Sequence, residues 1–448
     1  MNRAERPNVP IAAAVEPIQS RSESNSLAKI FTAAIVLLAI FAPQIFFTVA
    51  GLMGFEYAGS EESPIYVLFI VIAFVLVTST FLASYVKRPV LGKPEITFYT
   101  FFILLLVNHL LWVVFDGQGT RLWPQNLILF LSMGITGFMA ARVVHIFNAW
   151  QEVIKLTEPL FIVLAVGLIS AIVLPYLTGL RVRGIGGGSY QAASYYAAVC
   201  YGMLGFAAFR LNKTYRFKLF ISRAGVAITV VLMCALFIVT VINGGRGAFV
   251  LLVLYTALIL YWVVTNGGWT WAGILRFMVA IFSASIAAGL VIDMVTTDPI
   301  LSAGWSRAVE FIGSADDGLI DLVGGSSGRD RVYEIAIKLI GESPWYGYGA
   351  FSHWEKATHP HNIFLDLALQ FGLPIAISIV MFATILLFLC ARRFRVLATE
   401  QMWLLFLSLY PIINLMVSSG YFRSSVFWFC ISGLFLYPVA KRHPAKQR

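Results

Sequence analysis

Runs of about twenty apolar residues recur along this chain, and no other feature limits its fold as much. Each run has the length of a helix crossing a hydrocarbon core, roughly 30 Å. Backbone polar groups in lipid must be satisfied within the segment, so such runs are helices rather than open strands. The composition leaves no soluble alternative. With 59% hydrophobic and 12% charged residues in 448, there is too little polar surface to cover a water-soluble globule. Twelve spans are expected, near 29–52, 64–86, 95–115, 124–146, 159–179, 190–209, 224–243, 247–265, 270–292, 361–390, 401–418 and 424–440. The fold class is therefore all-α, a polytopic transmembrane bundle. Residues 29–292 hold the first nine spans and 361–440 the last three. Residues 293–360 form one long polar loop between them.

The polar ends follow the same logic. Residues 1–28 carry Pro7, Pro10, Pro17 and a Ser-rich end but no apolar core of a cleavable signal, and read as a disordered tail. Residues 441–448 form a short basic tail. The net charge of +10 would suggest nucleic acid in a soluble protein. Here the cations sit in short loops between spans, where they set topology and meet lipid headgroups, so no nucleic-acid partner is expected. Lys87, Arg88 and Lys93, the cluster from Arg210 to Arg223, then Arg392, Arg393 and Arg395, all fall on the side of the N-terminus. That bias places both termini in the cytoplasm and the 293–360 loop outside. Cys200, Cys234, Cys390 and Cys430 lie inside apolar runs, which disfavours disulfides and a cysteine metal site.

Cations on the outer side break the bias and are the more informative. They are Arg121, Arg181, Arg183, Arg246, Arg307, Arg329, Arg331, Lys338, Lys356 and Arg423, nearly all arginine. A solvated surface charge needs no such preference, whereas the planar guanidinium fork suits phosphate. An anionic ligand such as a lipid pyrophosphate fits this face. Snorkelling to headgroups, or pairing with loop carboxylates such as Asp330 and Glu334, is the competing reading.

Three positions carry the chemistry. Arg246 sits in Asn243-Gly244-Gly245-Arg246-Gly247, a tight break between two spans. Glycine amides, a helix start and a guanidinium there would cradle an anion. Arg329 follows Gly324-Gly325-Ser326-Ser327-Gly328, a loop able to close over a substrate, with Arg331 beside it. Val332, Ile335, Ala336 and Leu339 then recur at helical spacing, so an amphipathic helix is expected on the membrane surface. The aromatic turn Pro344-Trp345-Tyr346-Gly347-Tyr348-Gly349 comes next; its rings suit either sugar faces or the membrane interface. His361 stands where the loop re-enters the membrane and is the side chain suited to take and return a proton near neutrality. His359-Pro360-His361 as half of a metal site, or His361-Asn362 as a helix cap, are the alternatives.

Residues 170–440 resemble the O-antigen ligases and the related O-antigen and exopolysaccharide polymerases of bacterial envelopes. The resemblance rests on Arg246-Gly247-Ala248, on Ser327-Gly328-Arg329 leading to Pro344–Gly349, and on His361-Asn362 followed nine residues later by Gly372. Arg183-Gly184 loosely matches an upstream arginine region. Where the family often has a second glycine, three residues after the first, this chain has Ile375. The resemblance implies a GT-C-like bundle in the inner membrane with a periplasmic active site and no cofactor or metal. It implies a glycan moved from undecaprenyl pyrophosphate to an acceptor hydroxyl, the acceptor being another glycan or lipid A-core. His361 would then be the base, and Arg246, Arg329, Arg183, Arg331 and Arg423 would bind pyrophosphate and glycan. Membrane lipids and a chain-length regulator would be further partners. A flippase for lipid-linked sugars or another anion would share the spans and basic cavity residues; it predicts matched helix interruptions in two repeats. A structural subunit using the loop as a docking surface is the third class.

Overall fold

The computed structural model describes residues 18–55, 64–89, 91–92, 95–96, 99–100, 103, 107, 111, 128–177, 185, 189–209, 223–265, 329–349, 359–392, 399–417 and 420–435. The expected spans 95–115 and 270–292, both tails in large part, and residues 293–328 of the long loop lie mostly or wholly outside them.

Every regular element among the described residues is helical. In chain order these are α1 (Ile18–Ile40), α2 (Ala42–Leu52), α3 (Pro64–Lys87), a π turn (Phe130–Gly134) running into α4 (Ile135–Ile146), α5 (Trp150–Leu177), α6 (Tyr190–Ala208), α7 (Arg223–Ile242) and α8 (Arg246–Thr265). They continue with α9 (Arg329–Glu342), α10 (Ile363–Phe371), α11 (Leu373–Arg392), α12 (Thr399–Val417), a 3-10 turn (Tyr421–Arg423) and α13 (Ser425–Phe435). Among the described residues, four helices are long and apolar enough to cross a membrane, or five if a bent pair is one span.

That bent pair occupies the first expected span, which is broken rather than straight. Residues 29–52 form α1 and α2, which meet at 77° around Phe41. Pro43 is the cause: its missing N–H and its ring remove the bond to the carbonyl four residues earlier. Helix α1 also begins at Ile18, inside the segment expected to be an unstructured tail. The expected span 361–390 is likewise divided, into α10 and α11, at Gly372.

Two apolar cores hold the bundle. The larger runs through α1 to α8, α12 and α13 and includes the fully buried Phe41, Tyr255, Phe406 and Trp403. The smaller gathers Phe130, Ile340, Leu367, Phe371, Leu415 and Phe422, and so ties α9 and α10 to the end of α12 and to the turn before α13. Small residues allow close approach between helices. A Cβ on Gly137 of α4 would meet the Ser425 carbonyl and stand 2.8 Å from the Phe429 amide.

Contacts at the helix termini sort them into two ends. Ser425 at the start of α13 donates to the Ile40 carbonyl at the end of α1, at 2.9 Å. Ser194 near the start of α6 donates to the Thr240 carbonyl near the end of α7, at 3.5 Å. The Gly245 amide, just before α8, donates back to Ser194 at 3.2 Å. The opposite end holds Lys87, whose ammonium lies 4.8 Å from the Phe147 ring centre. It also holds Arg142, wholly buried, which pairs with Glu95, donates to Ser84 at 3.2 Å and to the Arg88 carbonyl at 3.1 Å, and lies over Tyr85. A buried ion pair of this kind is held by its added hydrogen bonds rather than by charge attraction alone. The segment after α3 is thereby fastened to α4.

Candidate active site

The site end is built around two glycines that let backbones touch. Gly347, with φ +66, belongs to the aromatic turn, and Gly372, with φ +81, separates α10 from α11. A Cβ on Gly347 would lie 2.6 Å from the Leu369 carbonyl oxygen, and one on Gly372 would overlap the Trp345 carbonyl. In place of side chains there are backbone bonds. The Tyr348 amide donates to the Leu369 carbonyl at 2.7 Å, Gly349 to Gln370 at 2.9 Å, and Leu373 to Pro344 at 2.8 Å. Turn and helix break are one interlocked unit, so the aromatic turn has a structural task as well as its exposed rings, Trp345 and Tyr346.

Helix α9 is anchored to the same unit. The Tyr348 hydroxyl donates to the Leu339 carbonyl at 3.0 Å and lies 3.3 Å from the Glu342 carboxylate. Burial first, then the charge of Glu342 and its hydrogen bond, raise the Tyr348 phenol above its ordinary value, so the hydroxyl stays a donor. The expected amphipathic helix is present at 329–342, but its apolar stripe is not left for the bilayer alone. Ala336 and Ile340 are buried against α10, while Ile335 and Ile337 remain exposed.

His361 comes immediately before α10 and is exposed. Its φ is +52, one of two described non-glycine residues in the left-handed region. That region disfavours L-residues, and such outliers persist where surrounding bonds hold them. Asn362 supplies one hold: its side-chain oxygen accepts from the amides of Phe364, at 3.0 Å, and Leu365, at 3.3 Å, and so caps α10. Asn362 is thus the residue whose side chain caps α10. Replacing Asn362 by alanine is expected to cost about 0.5–2 kcal/mol, the usual worth of such a cap, read as a lower melting temperature of the detergent-solubilised protein. Asp366 and Gln370, buried one turn apart on α10, were not signalled as special by the sequence pattern.

Arg246 opens α8 and is half-buried. The glycines around it do not leave all their amides open, contrary to expectation. The Gly245 amide is taken by Ser194 and the Gly244 amide by the Val241 carbonyl, at 3.0 Å. What the glycines provide is proximity: a Cβ on Gly245 would lie 2.6 Å from Ser194 Cβ, and one on Gly247 would overlap the Tyr195 hydroxyl. The same Gly247 position is 3.2 Å from Val417 at the end of α12. Arg246 thus neighbours a residue packed against the end of α12, and Arg423, six residues beyond Val417, is half-buried with its guanidinium 5.3 Å from the Phe422 ring centre. Phe422 packs in the smaller core with Leu367 of α10. Arg246, Arg423 and the start of α10 with His361 therefore share one end of the bundle. Arg329 opens α9 and Arg331 is exposed on it. Arg183 lies outside the described residues.

Residues 228–380 match the O-antigen ligase family. The matched segment covers about a third of the chain and contains Arg246, Arg329, Arg331 and His361. It also contains both halves of the glycine interlock. Together with the apolar helices, the match fits a multi-pass membrane protein with a segment similar to O-antigen ligases. The family match falls within the region of resemblance read from the motifs. No curated protein matches the chain.

Proposed function

We propose that the protein is a metal-independent, inverting glycosyltransferase of the inner membrane. It moves a glycan from undecaprenyl pyrophosphate to an acceptor hydroxyl at the periplasmic face. Polymerisation of O-antigen or exopolysaccharide repeat units is the favoured form, and ligation of the chain to lipid A-core the other. In this reading the bundle has twelve spans in a GT-C-like arrangement, both termini are cytoplasmic, and the loop 293–360 is periplasmic. What supports the proposal is that the segment similar to O-antigen ligases contains both Arg246, at the start of α8, and an exposed His361, just before α10. The end holding Lys87 and the start of α7 at Arg223 then faces the cytoplasm, in keeping with the positive-inside bias.

The step is a single displacement. His361 takes the proton of the acceptor hydroxyl as its oxygen bonds to the anomeric carbon. The bond from that carbon to the phosphate oxygen breaks, and its electron pair leaves with undecaprenyl pyrophosphate. Arg246 and Arg329, with Arg183, Arg331 and Arg423 as further contacts, stabilise the charge gathering on the leaving diphosphate. Nothing beyond the diphosphate is needed to activate the sugar.

The proposal is tested with the purified protein and an undecaprenyl-pyrophosphate-linked oligosaccharide. Turnover should release free undecaprenyl pyrophosphate together with a longer or transferred glycan. Arg246→Ala should slow it by about ten- to a hundredfold, the worth of one charge-assisted hydrogen bond, with Arg246→Lys in between. Wild-type rates in both variants would remove Arg246 from the site. A flippase would instead move the donor across vesicles without consuming it.

A further inference from the structure

We propose that His359 is a positioning residue, which holds the base His361 in its working conformation; this rests on the reading of His361 as that base. The His361 amide donates to His359 Nδ1 at 2.8 Å, and the two ring centres lie 4.8 Å apart. The bond runs from a side-chain acceptor to the amide two residues on, the pattern by which short polar side chains close turns. Between them, Pro360 fixes its own φ near −65° and offers no N–H to compete for the acceptor. On the other side, Asn362 caps α10. His361, at φ +52, is thus held from both flanks: its amide by His359 and its following peptide by the cap.

The backbone conformation of a residue decides the direction in which its side chain leaves the chain. For His361 that direction determines whether the imidazole reaches the acceptor hydroxyl at hydrogen-bond distance. Left to itself, an L-residue moves out of the left-handed region. With the His359 bond gone, His361 relaxes toward extended backbone and its ring points elsewhere. His359 would touch no substrate in this scheme. Its effect would fall on the rate of the step and not on donor binding.

The test compares His359→Ala, His359→Asn and His359→Gln in the full-length protein, assayed on undecaprenyl-pyrophosphate-linked oligosaccharide, with His361→Ala alongside. The asparagine Oδ1 stands where the histidine Nδ1 stands, whereas the glutamine Oε1 reaches one bond further. Asparagine should therefore keep the wild-type rate. Alanine and glutamine should lower kcat by about two- to tenfold, the range of one net hydrogen bond, with KM unchanged. Should alanine impair folding, the asparagine–glutamine pair, matched for polarity, still decides. Three variants at the wild-type rate, asparagine as slow as alanine, or a loss confined to KM would each overturn the proposal. If His361→Ala is inactive while all His359 variants are normal, only the positioning role falls. If His361→Ala is fully active, the base assignment fails and the positioning role with it.

Discussion

Replacing His361 by alanine is expected to lower glycan transfer by about a hundred- to ten-thousandfold, the usual contribution of a positioned general base, while the protein remains folded. The second half of this expectation follows from structure. The His361 side chain is exposed, and α10 is capped by Asn362 and packed through Leu367 and Phe371. Removing the ring also takes a β-carbon-bearing residue in the left-handed region to another one, so backbone strain is little altered. The check is a pair of measurements on one preparation: turnover with the lipid-linked donor, and the melting temperature. Lost turnover with an unchanged melting temperature is the expected pattern. A large fall in melting temperature would make His361 a structural residue. A retained rate would leave the chemistry without its base.

Gly372→Ala is expected to destabilise the protein by about 2–5 kcal/mol, from an unfavourable backbone conformation and an overpacked contact. At φ +81 the position already disfavours a side chain, and a Cβ there would overlap the Trp345 carbonyl and lie 2.8 Å from the Tyr346 amide nitrogen. The obstacle is backbone, which cannot rotate away as a side chain would. Either the aromatic turn leaves α10, breaking the Leu373–Pro344 bond, or the helix break straightens. Both displace the unit that carries α10 and His361, so activity should fall along with the melting temperature. Gly341→Ala is the control. Nothing lies within 4 Å of a Cβ there, and the residue is in the last turn of α9, so stability should hold or rise slightly. Equal melting temperatures for the two variants would contradict the interlock.

Much of the helical framework is legible from hydropathy alone, because in lipid an apolar run of sufficient length has only a helix to form. The expected run 64–86 appears as Pro64–Lys87, and 224–243 as Arg223–Ile242. What hydropathy cannot register is a break that leaves the residues apolar. Pro43 bends the first run and Gly372 divides the tenth, yet both lie within unbroken apolar composition. Pro43 was a readable signal, since proline removes the very bond a straight helix needs there. In the sequence Gly372 stands out only by its spacing from His361; its reason is a close approach to a turn more than twenty residues earlier, which no local pattern contains.

The site shows the same division. Residue types pointed to Arg246 and His361, because a guanidinium and an imidazole are chemically distinctive wherever they fall. The environment of each was not readable. The glycines beside Arg246 make room for Ser194 and Tyr195, partners some fifty residues away, rather than presenting all their amides to an anion. Nothing local links Arg142 and Glu95, because they are 47 residues apart and only the packing of the segment after α3 against α4 brings them together. Ile375, where the family often carries glycine, is 44% exposed, so the departure places no side chain in the bundle interior.

The central claim is that His361 drives glycan transfer from a lipid diphosphate. Its most direct test is the size distribution of undecaprenyl-linked glycans in a deletion strain, complemented with the wild-type protein or with His361→Ala. The account predicts that wild type restores normal chains and that the variant does not, leaving single repeat units on the lipid if the protein polymerises them. Long chains stranded on the lipid would identify the ligating form of the same chemistry. Full restoration by His361→Ala would contradict the account.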